Sequence, residues 1–151
     1  MARRDPEAFI ESFRGFSRCI RAVIAQAYAA LDLGPTQAKF LRHVGQAGRM
    51  SQAELARATE TDPTLTGRAL ETLVERGWVR RTRSDVDRRQ YVLELSAAGR
   101  RARAKVEAAR SQVATRIVAA LDDRDRADFD RIADKVLAAL DGPASDPARR
   151  A

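Results

Sequence analysis

The stretch that decides the fold is SQAELARATETDPTLTGRALETLVERGWVRRTRSDVDRRQYVLELSAAG, residues 51–99. It opens with Ser51 and, three residues later, Glu54. This spacing is typical of a capping box, in which each side chain bonds the backbone N–H of the other residue at a helix start. A short helix is therefore predicted over residues 52–57.

A second helix is predicted after a tight turn through residues 59–61. Asp62 is a favoured N-cap residue, and Pro63 suits the first helical position because no N–H is needed there. The helix is expected to stop at Gly77, since glycine readily adopts the left-handed conformation that ends many helices. Two short helices around a tight turn predict a helix-turn-helix.

Beyond Gly77 the spacing of apolar residues changes from about 3.6 to 2. The runs 78–79 and 91–95 are typical of short strands, and the segment between them is strongly polar. Two strands around a charged loop predict a β-hairpin, called the wing below. Ser96 is then expected to cap a long helix over residues 97–122.

Working outward, long helices are predicted on both sides of this unit. In residues 7–31 the apolar positions advance by alternating steps of four and three, which is the spacing of a seam for another helix. A helix over 36–47 and a last helix over about 124–140 complete the pattern. The seam of the first helix consists of Phe9, Phe13, Phe16, Ile20, Val23, Ala27 and Leu31. The last helix is expected to bury Phe129, Ile132, Val136 and Leu140.

These elements predict a mainly α protein with a small β-hairpin: a winged helix-turn-helix with long N- and C-terminal dimerisation helices. We expect residues 34–96 to form the winged helix-turn-helix DNA-binding lobe. Residues 1–33 and 97–141 are expected to form a helical dimerisation region, and residues 142–151 a disordered tail.

The charge favours an anionic partner. Lys and Arg number 28 against 21 Asp and Glu, a formal net charge of +7. An excess of this size is typical of proteins that bind nucleic acid or another polyanion. With one cysteine and one histidine, neither an intrachain disulfide nor a transition-metal site is expected.

Several other classes of protein are disfavoured. The sequence has no glycine-rich phosphate loop, nucleophile elbow or histidine–carboxylate cluster, so neither an enzyme nor a cofactor is expected. No run reaches the roughly 18 apolar residues of a membrane span. The first residues lack the apolar core of a signal peptide, and a cytoplasmic location is expected.

The order of elements predicts contact with DNA. The second helix of the helix-turn-helix enters the major groove, which is about 12 Å wide, with small and polar residues near its N-terminus. The helix starts at Ser51 and Asp62 are expected to aim free backbone amides at phosphate oxygens. Arg68 can bond guanine with two hydrogen bonds. The predicted contacts of the helices are Ser51, Gln52, Pro63, Thr64, Gly67 and Arg68.

The wing is expected to contact the minor groove or the DNA backbone. Its predicted contacts are Arg81, Arg83, Arg88 and Arg89. Asp87 in this basic loop would repel phosphate unless it is paired, so we expect it to pair with Arg89 and stiffen the wing. A solvated helix face and a solvated hairpin tip remain the alternatives for these residues.

The sequence resembles the MarR family of bacterial winged-helix regulators over about residues 7–140. The resemblance implies an obligate homodimer, built from the first and last helices, on a pseudo-palindromic operator in double-stranded DNA. It also implies Arg88 at the wing tip and the Asp87–Arg89 pair. Pro63 and Gly67 depart from the more usual polar residues of the recognition helix, which implies greater reliance on DNA shape. The matching segments are Gly34-Pro35-Thr36-Gln37 to Phe40-Leu41, Ser51-Gln52-Ala53-Glu54-Leu55-Ala56, Leu73-Val74-Glu75-Arg76-Gly77-Trp78-Val79, Asp87-Arg88-Arg89 and Leu95-Ser96-Ala97-Ala98-Gly99-Arg100.

The resemblance also implies regulation by a small phenolic or aromatic carboxylate effector in a cleft beside the DNA lobe. The candidate ligand residues are Phe16, Cys19, Phe40 and His43. The phenylalanines fit a hydrophobic core equally, and the histidine fits a carbonyl contact or solvent. Cys19 alternatively suggests thiol-based redox sensing, although the segment from Gly34 to Phe40 lacks the tyrosines of peroxide-sensing relatives.

Two recognition helices about 34 Å apart fit successive major grooves on one face of DNA. Because binding there would block polymerase, the predicted function is a repressor released by its effector. The alternatives are a redox-sensing repressor that uses Cys19 and a winged-helix adaptor that binds protein.

Overall fold

The computed structural model describes residues 5–84, Asp87 and residues 91–140. The chain divides into two compact units, Met1–Val113 and Ala114–Ala151. The predicted tail 142–151 lies outside the described residues. The described elements are α1 (Pro6–Ala29), α2 (Pro35–Ala47), β1 (Arg49–Ser51), α3 (Gln52–Ala58), α4 (Pro63–Glu75), β2 (Val79–Arg83), β3 (Tyr91–Leu95), α5 (Ala97–Val118) and α6 (Asp123–Leu140).

The mainly helical fold and the winged helix-turn-helix are confirmed, but the sheet is larger than the predicted hairpin. Its three antiparallel strands have the order β1-β3-β2. β1 was missed because three residues are too few to show a period of 2. β2 continues through Arg83, where a loop was expected. It is an edge strand whose residues after Val79 are exposed, so they show no apolar alternation.

The core of the first unit lies among α2, α3, α4 and the sheet. α4 presents Thr66, Ala69, Leu70 and Leu73 to it, with the spacing of one helical face. The fully buried large side chains include Phe40, Leu41, Val44, Leu55, Leu70, Leu73, Val79, Leu93 and Val106. This packing fixes the direction in which α4 points its exposed face.

The helix-turn-helix is held by hydrogen bonds around its turn. The buried hydroxyl of Thr59 donates to the carbonyl of Leu55 at 2.7 Å. Lys39 of α2 donates from Nζ to the carbonyl of Thr59 at 2.8 Å. Glu60 adopts the left-handed conformation with φ +49°. Together these features reverse the chain between α3 and α4 within four residues.

Ser96 joins the start of α5 to the end of α4, as its predicted N-cap role requires. Its Oγ accepts from the N–H of Gly99 at 2.9 Å and donates to the carbonyl of Gly77 at 2.6 Å. Its own N–H donates to the carbonyl of Trp78 at 3.0 Å. A Cβ at Gly99 would collide with that carbonyl, so only glycine allows this approach.

The second unit contains the end of α5 and the whole of α6. Two aspartates form the turn between them: each of Asp122 and Asp125 donates its N–H to the carboxylate of the other, at 3.1 and 2.8 Å. α5 ends at Val118 rather than near residue 122. The prediction that α6 buries its apolar residues is wrong for the single chain, because Phe129, Ile132, Val136 and Leu140 are all exposed.

No helix of the described residues is long and apolar enough to cross a membrane. Among the same residues, no three His, Cys, Asp or Glu side chains are grouped so that they could hold a metal ion.

Candidate nucleic-acid interface

The first candidate contacts lie at the start of α3. Oγ of Ser51 accepts from the N–H of Glu54 at 3.2 Å, and the Glu54 carboxylate accepts from the N–H of Ser51 at 2.6 Å. The predicted capping box is therefore present. The backbone N–H of Ser51 first, and the Ser51 hydroxyl second, stabilise the Glu54 carboxylate and lower its pKa below the ordinary glutamate value of 4.5.

The start of α4 is capped in the same local way. Oδ1 of Asp62 accepts from the N–H of Thr64 at 2.8 Å and from the N–H of Leu65 at 3.2 Å. The expectation of free amides at these two helix starts is therefore wrong for the groups that Ser51 and Asp62 bond. At α4, where Pro63 has no N–H, a phosphate would meet a helix start whose next two amides are already bonded. At α3 the Ser51 hydroxyl bonds only the N–H of Glu54.

The exposed side chains of α4 carry the polar groups of the candidate interface. Thr64 and Arg68 are exposed and lie one turn apart, with Pro63 exposed before them and Gly67 between them. The guanidinium of Arg68 forms no hydrogen bond or ion pair with any described residue. This combination leaves one hydroxyl and one arginine on the outer face of the helix, available to a partner.

The wing strand β2 divides its arginines between two faces of the sheet. One face of β2 lies toward the helices and carries every second residue: Val79, Arg81 and Arg83. Val79 is buried on this face, and Arg81 is in register with buried Leu93. Arg80 points the other way, and its Nη2 lies 3.2 Å from Oε1 of Glu94. Arg83 places its guanidinium 5.3 Å from the ring centre of Tyr91.

Arg81 is bound to a residue of another candidate element. Its Nη2 donates to Oε1 of Gln52 at 2.9 Å. A Cβ at Gly67 would lie 3.7 Å from Nε2 of Gln52. Three candidate contacts, from α3, α4 and β2, therefore lie side by side.

The tip of the wing is only partly described. Arg88 and Arg89 lie outside the described residues, and so does the expected pair of Arg89 with Asp87. The N–H of Asp87 donates to Oγ of Ser84 at 3.2 Å.

The four candidate ligand residues do not form one pocket in the first unit. Phe40 is fully buried in the core, which is the alternative that the sequence left open for it. Phe16 and Cys19 are exposed on α1, and His43 is half-buried on α2.

A cavity of about 520 Å³ lies elsewhere in that unit, beside the end of α1. Arg101 and Lys105 project from one face of α5, one turn apart, and Trp78 supplies an indole wall. None of the four candidate ligand residues lines it. Its lining residues are Ala30, Leu31, Asp32, Leu33, Trp78, Ala98, Arg101, Ala102 and Lys105.

Sequence reasoning missed this cavity because its walls come from segments far apart in the chain. The one local signal was the pair of cations at positions 101 and 105, four residues apart on a predicted helix. Nothing in the sequence indicated that Asp32 would line a cavity. In the structure it has a positive φ of 56°, and its carboxylate binds Arg76 at 2.6 Å.

The helix-turn-helix followed by a β-wing defines a winged helix-turn-helix protein. Residues 31–90 match the model of the MarR family. No curated protein matches the chain.

Solved structures extend the likeness to most of the chain. YusO from Bacillus subtilis is 19% identical with a TM-score of 0.72, covering 90% of this chain and 99% of that one. A mutant of MepR from S. aureus is 17% identical with a TM-score of 0.78, covering 87% and 98%. A mutant of MarR from E. coli in complex with operator DNA is 21% identical with a TM-score of 0.70, covering 88% and 99%. The chain therefore has the winged-helix fold of these solved structures, and its match to the MarR family model covers residues 31–90.

Proposed function

We propose that this protein is a sequence-specific DNA-binding transcriptional regulator that acts as a homodimer. The observation that carries the proposal is the exposed face of α4, where Arg68 has no partner among the described residues and Thr64 lies one turn before it. The net charge of +7 provides the long-range attraction to a polyanion. The E. coli MarR mutant whose structure contains operator DNA has the same fold, which supports the proposal.

In the proposed complex α4 lies in the major groove. Thr64 bonds a phosphate or a base edge, and Arg68 bonds guanine with two hydrogen bonds. Pro63 and Gly67 offer no polar side chain, so part of the selectivity comes from the shape of the duplex. Ser51, at the start of α3, contacts the DNA backbone.

The wing supplies the second group of contacts. Arg83, Arg88 and Arg89 contact the minor groove or the adjacent phosphates, and Asp87 pairs with Arg89 to stiffen the loop. Replacing Arg88 with Ala is expected to weaken binding to all sequences about equally. A variant with unchanged affinity would remove the wing from the interface.

A second copy of the chain is proposed to cover two apolar faces. In the first unit, α1 exposes Phe9, Phe13 and Phe16 along one seam. In the second unit, α6 exposes a face of its own that contains Phe129, Ile132, Val136, Leu137 and Leu140. Exposed apolar rows of this length are typical of helices that pack against a partner. Residues 1–33 and 97–141 are accordingly proposed as the dimerisation region, and 34–96 as the DNA-binding lobe.

The sharpest test selects bound duplexes from a random pool and maps protection on the selected site. We expect a pseudo-palindrome whose half-site centres are about 10 base pairs apart, or a multiple of one helical turn. Protection should fall on one face of the duplex. Selection of a single asymmetric half-site by one protomer would contradict the dimer, and no enrichment at all would contradict sequence-specific binding.

We further propose that the protein is a repressor released by a small anionic aromatic compound. The cavity beside α1 supports this, because its volume suits such a molecule and its two cations and indole suit a carboxylate on an aromatic ring. A phenolic effector needs only the aromatic wall and one donor. Salicylate, benzoate and an uncharged aromatic alcohol should be tested as ligands, with thermal shift and operator release as the two measurements.

Matched variants separate this site from the residues that the sequence suggested. Lys105→Ala should weaken salicylate binding, whereas His43→Ala should not if the cavity is the site. The reverse result would favour a site at α2. Redox sensing through Cys19 and an adaptor role remain predictions. A Cys19→Ser protein that still responds to peroxide would exclude redox sensing through this cysteine. Binding of duplex DNA by the wild-type protein would exclude an adaptor that binds only protein.

A further inference from the structure

Gln52, Gly67 and Arg81 come from three different elements and meet at one place on the candidate interface. Gln52 is the first residue of α3, Gly67 lies in the second turn of α4, and Arg81 is the middle residue of β2. The Gln52 amide accepts from the Arg81 guanidinium at 2.9 Å. The same amide lies 3.7 Å from the point where a Cβ of Gly67 would be.

The local structure explains why these residues meet. The capping box fixes the start of α3, and therefore the direction in which Gln52 leaves the helix. The antiparallel register puts Arg81 opposite Leu93 on the helix-facing side of the sheet. Arg81 is exposed on this face, whereas Val79, two residues earlier, is buried. Gly67 keeps the space between α4 and the pair free of any side chain.

Most of the unused hydrogen-bonding groups of the pair are donors. Oε1 of Gln52 is occupied by Arg81, which leaves the two N–H groups on Nε2 without a hydrogen bond among the described residues. The guanidinium of Arg81 keeps its remaining N–H groups. The glutamine accepts from one N–H of the guanidinium and so restricts where that group lies before any partner arrives. Two parallel N–H groups of a guanidinium held here match the O6 and N7 atoms of guanine, which accept two parallel bonds.

We infer that Gln52 is a positioning residue that holds Arg81 beside Gly67 of α4. From this position Arg81 of the wing strand reads a guanine, which Gly67 cannot do because it has no side chain. The inference rests on the proposed DNA binding and adds a specificity determinant to it. Arg68 reads its own base from α4, so each half-site carries two separately encoded guanine preferences.

The test is base selection from a random duplex pool by the full chain and its variants. The wild type should prefer guanine at one position per half-site that Arg81→Ala and Arg81→Lys both lose, by at least about fivefold. The lysine variant keeps the charge but lacks the two parallel donors. Gln52→Ala should reduce the same preference, and should have no further effect once Arg81 is Ala.

Arg80→Ala is the matched control, because Arg80 neighbours Arg81 on the same strand but pairs with Glu94 on the other face. It should leave the base preference in place. Gly67→Leu fills the space beside Gln52 and should remove the Arg81-dependent preference while the Arg68-dependent one persists.

Two results overturn the inference while leaving the proposed function intact. One is an Arg81→Lys protein with wild-type base preference, which would make Arg81 a phosphate contact. The other is a Gln52→Ala effect that adds fully to that of Arg81→Ala, which would make the two residues independent. A wild-type protein that enriches no duplex overturns the proposed function as well.

Discussion

Nη2 of Arg76 lies 2.6 Å from Oδ2 of Asp32, and Nη1 of the same arginine donates to the backbone carbonyl of Asp32 at 2.8 Å. The guanidinium also lies 4.9 Å from the ring centre of Trp78. Arg76 is the C-cap residue of α4, and Asp32 belongs to the turn after α1. The end of α4 is therefore joined to a wall of the cavity at two points, Asp32 and Trp78.

Arg76→Lys should lower the free energy of unfolding by about 1 kcal/mol, since lysine keeps the charge but loses the second hydrogen bond and the flat contact with the indole. Chemical denaturation measures this. Arg14→Lys is the matched control, because Arg14 pairs with Glu11 on an exposed helix face at 3.1 Å, where such pairs contribute little. Equal effects of the two variants would show that the Arg76 contacts add nothing beyond an ordinary surface pair.

The same chemical change should have opposite effects at two helical glycines. Gly67→Ala meets only ordinary van der Waals contact and should stabilise the protein by up to about 1 kcal/mol, because alanine favours helix. Gly99→Ala collides with the backbone carbonyl of Trp78 and should destabilise it by about 1–3 kcal/mol or more. Thermal and chemical unfolding of the two variants compares them directly, and a Gly99→Ala protein as stable as the wild type would contradict the close approach of α5 to Trp78.

Acid should weaken the start of α3. The folded chain lowers the pKa of Glu54 below 4.5, so the unfolded chain binds the proton more tightly. The stabilisation from the capping box is therefore fully present above that ordinary value, and is lost as the pH falls from there through the lowered pKa. Glu54→Gln should remove this part of the pH dependence while leaving the rest of the acid unfolding curve. A wild type and variant with parallel curves below pH 4.5 would show that the carboxylate contributes nothing.

Phe13→Glu should separate the proposed dimer. Phe13 is 59% exposed in the single chain, and burial of each copy contributes about 1.5–3 kcal/mol, so the dimer dissociation constant should rise at least about 100-fold. Sedimentation at several protein concentrations measures the change. Arg18→Glu places the same residue at an exposed position on the opposite face of the helix and should leave the dimer intact. A wild type that sediments as a monomer at micromolar concentration would contradict the dimer itself.

The sequence predicted the helices well because their signals are local. Asp62 with Pro63, and Ser51 with Glu54, each mark a helix start within four residues, and the caps are present where expected. The strand β1 had no such signal, because three residues gain strand structure only from pairing with β3, more than 40 positions away. The apolar stripe of α6 was identified, but a pattern in one chain cannot tell burial in the core from exposure that a second copy would cover.

The candidate site was predictable residue by residue but not as an arrangement. Gln52 and Arg81 were each identified as DNA contacts, yet nothing in the sequence indicated that they bond each other across 29 positions. The contact between Arg76 and Asp32 joins residues 44 positions apart, and no local pattern predicts it. The cavity similarly requires α1, Trp78 and α5 to meet.

The central claim, that the face carrying Thr64, Arg68 and Arg81 binds duplex DNA, is tested most directly by the affinity for a selected duplex as a function of salt. With several phosphate contacts, the dissociation constant should rise steeply between about 50 and 200 mM salt. Arg68→Ala should relax the preference for one base pair per half-site, at a cost of about 1–3 kcal/mol on the preferred sequence. No binding at 50 mM salt, or an Arg68→Ala protein that matches the wild type on every sequence, would contradict the account.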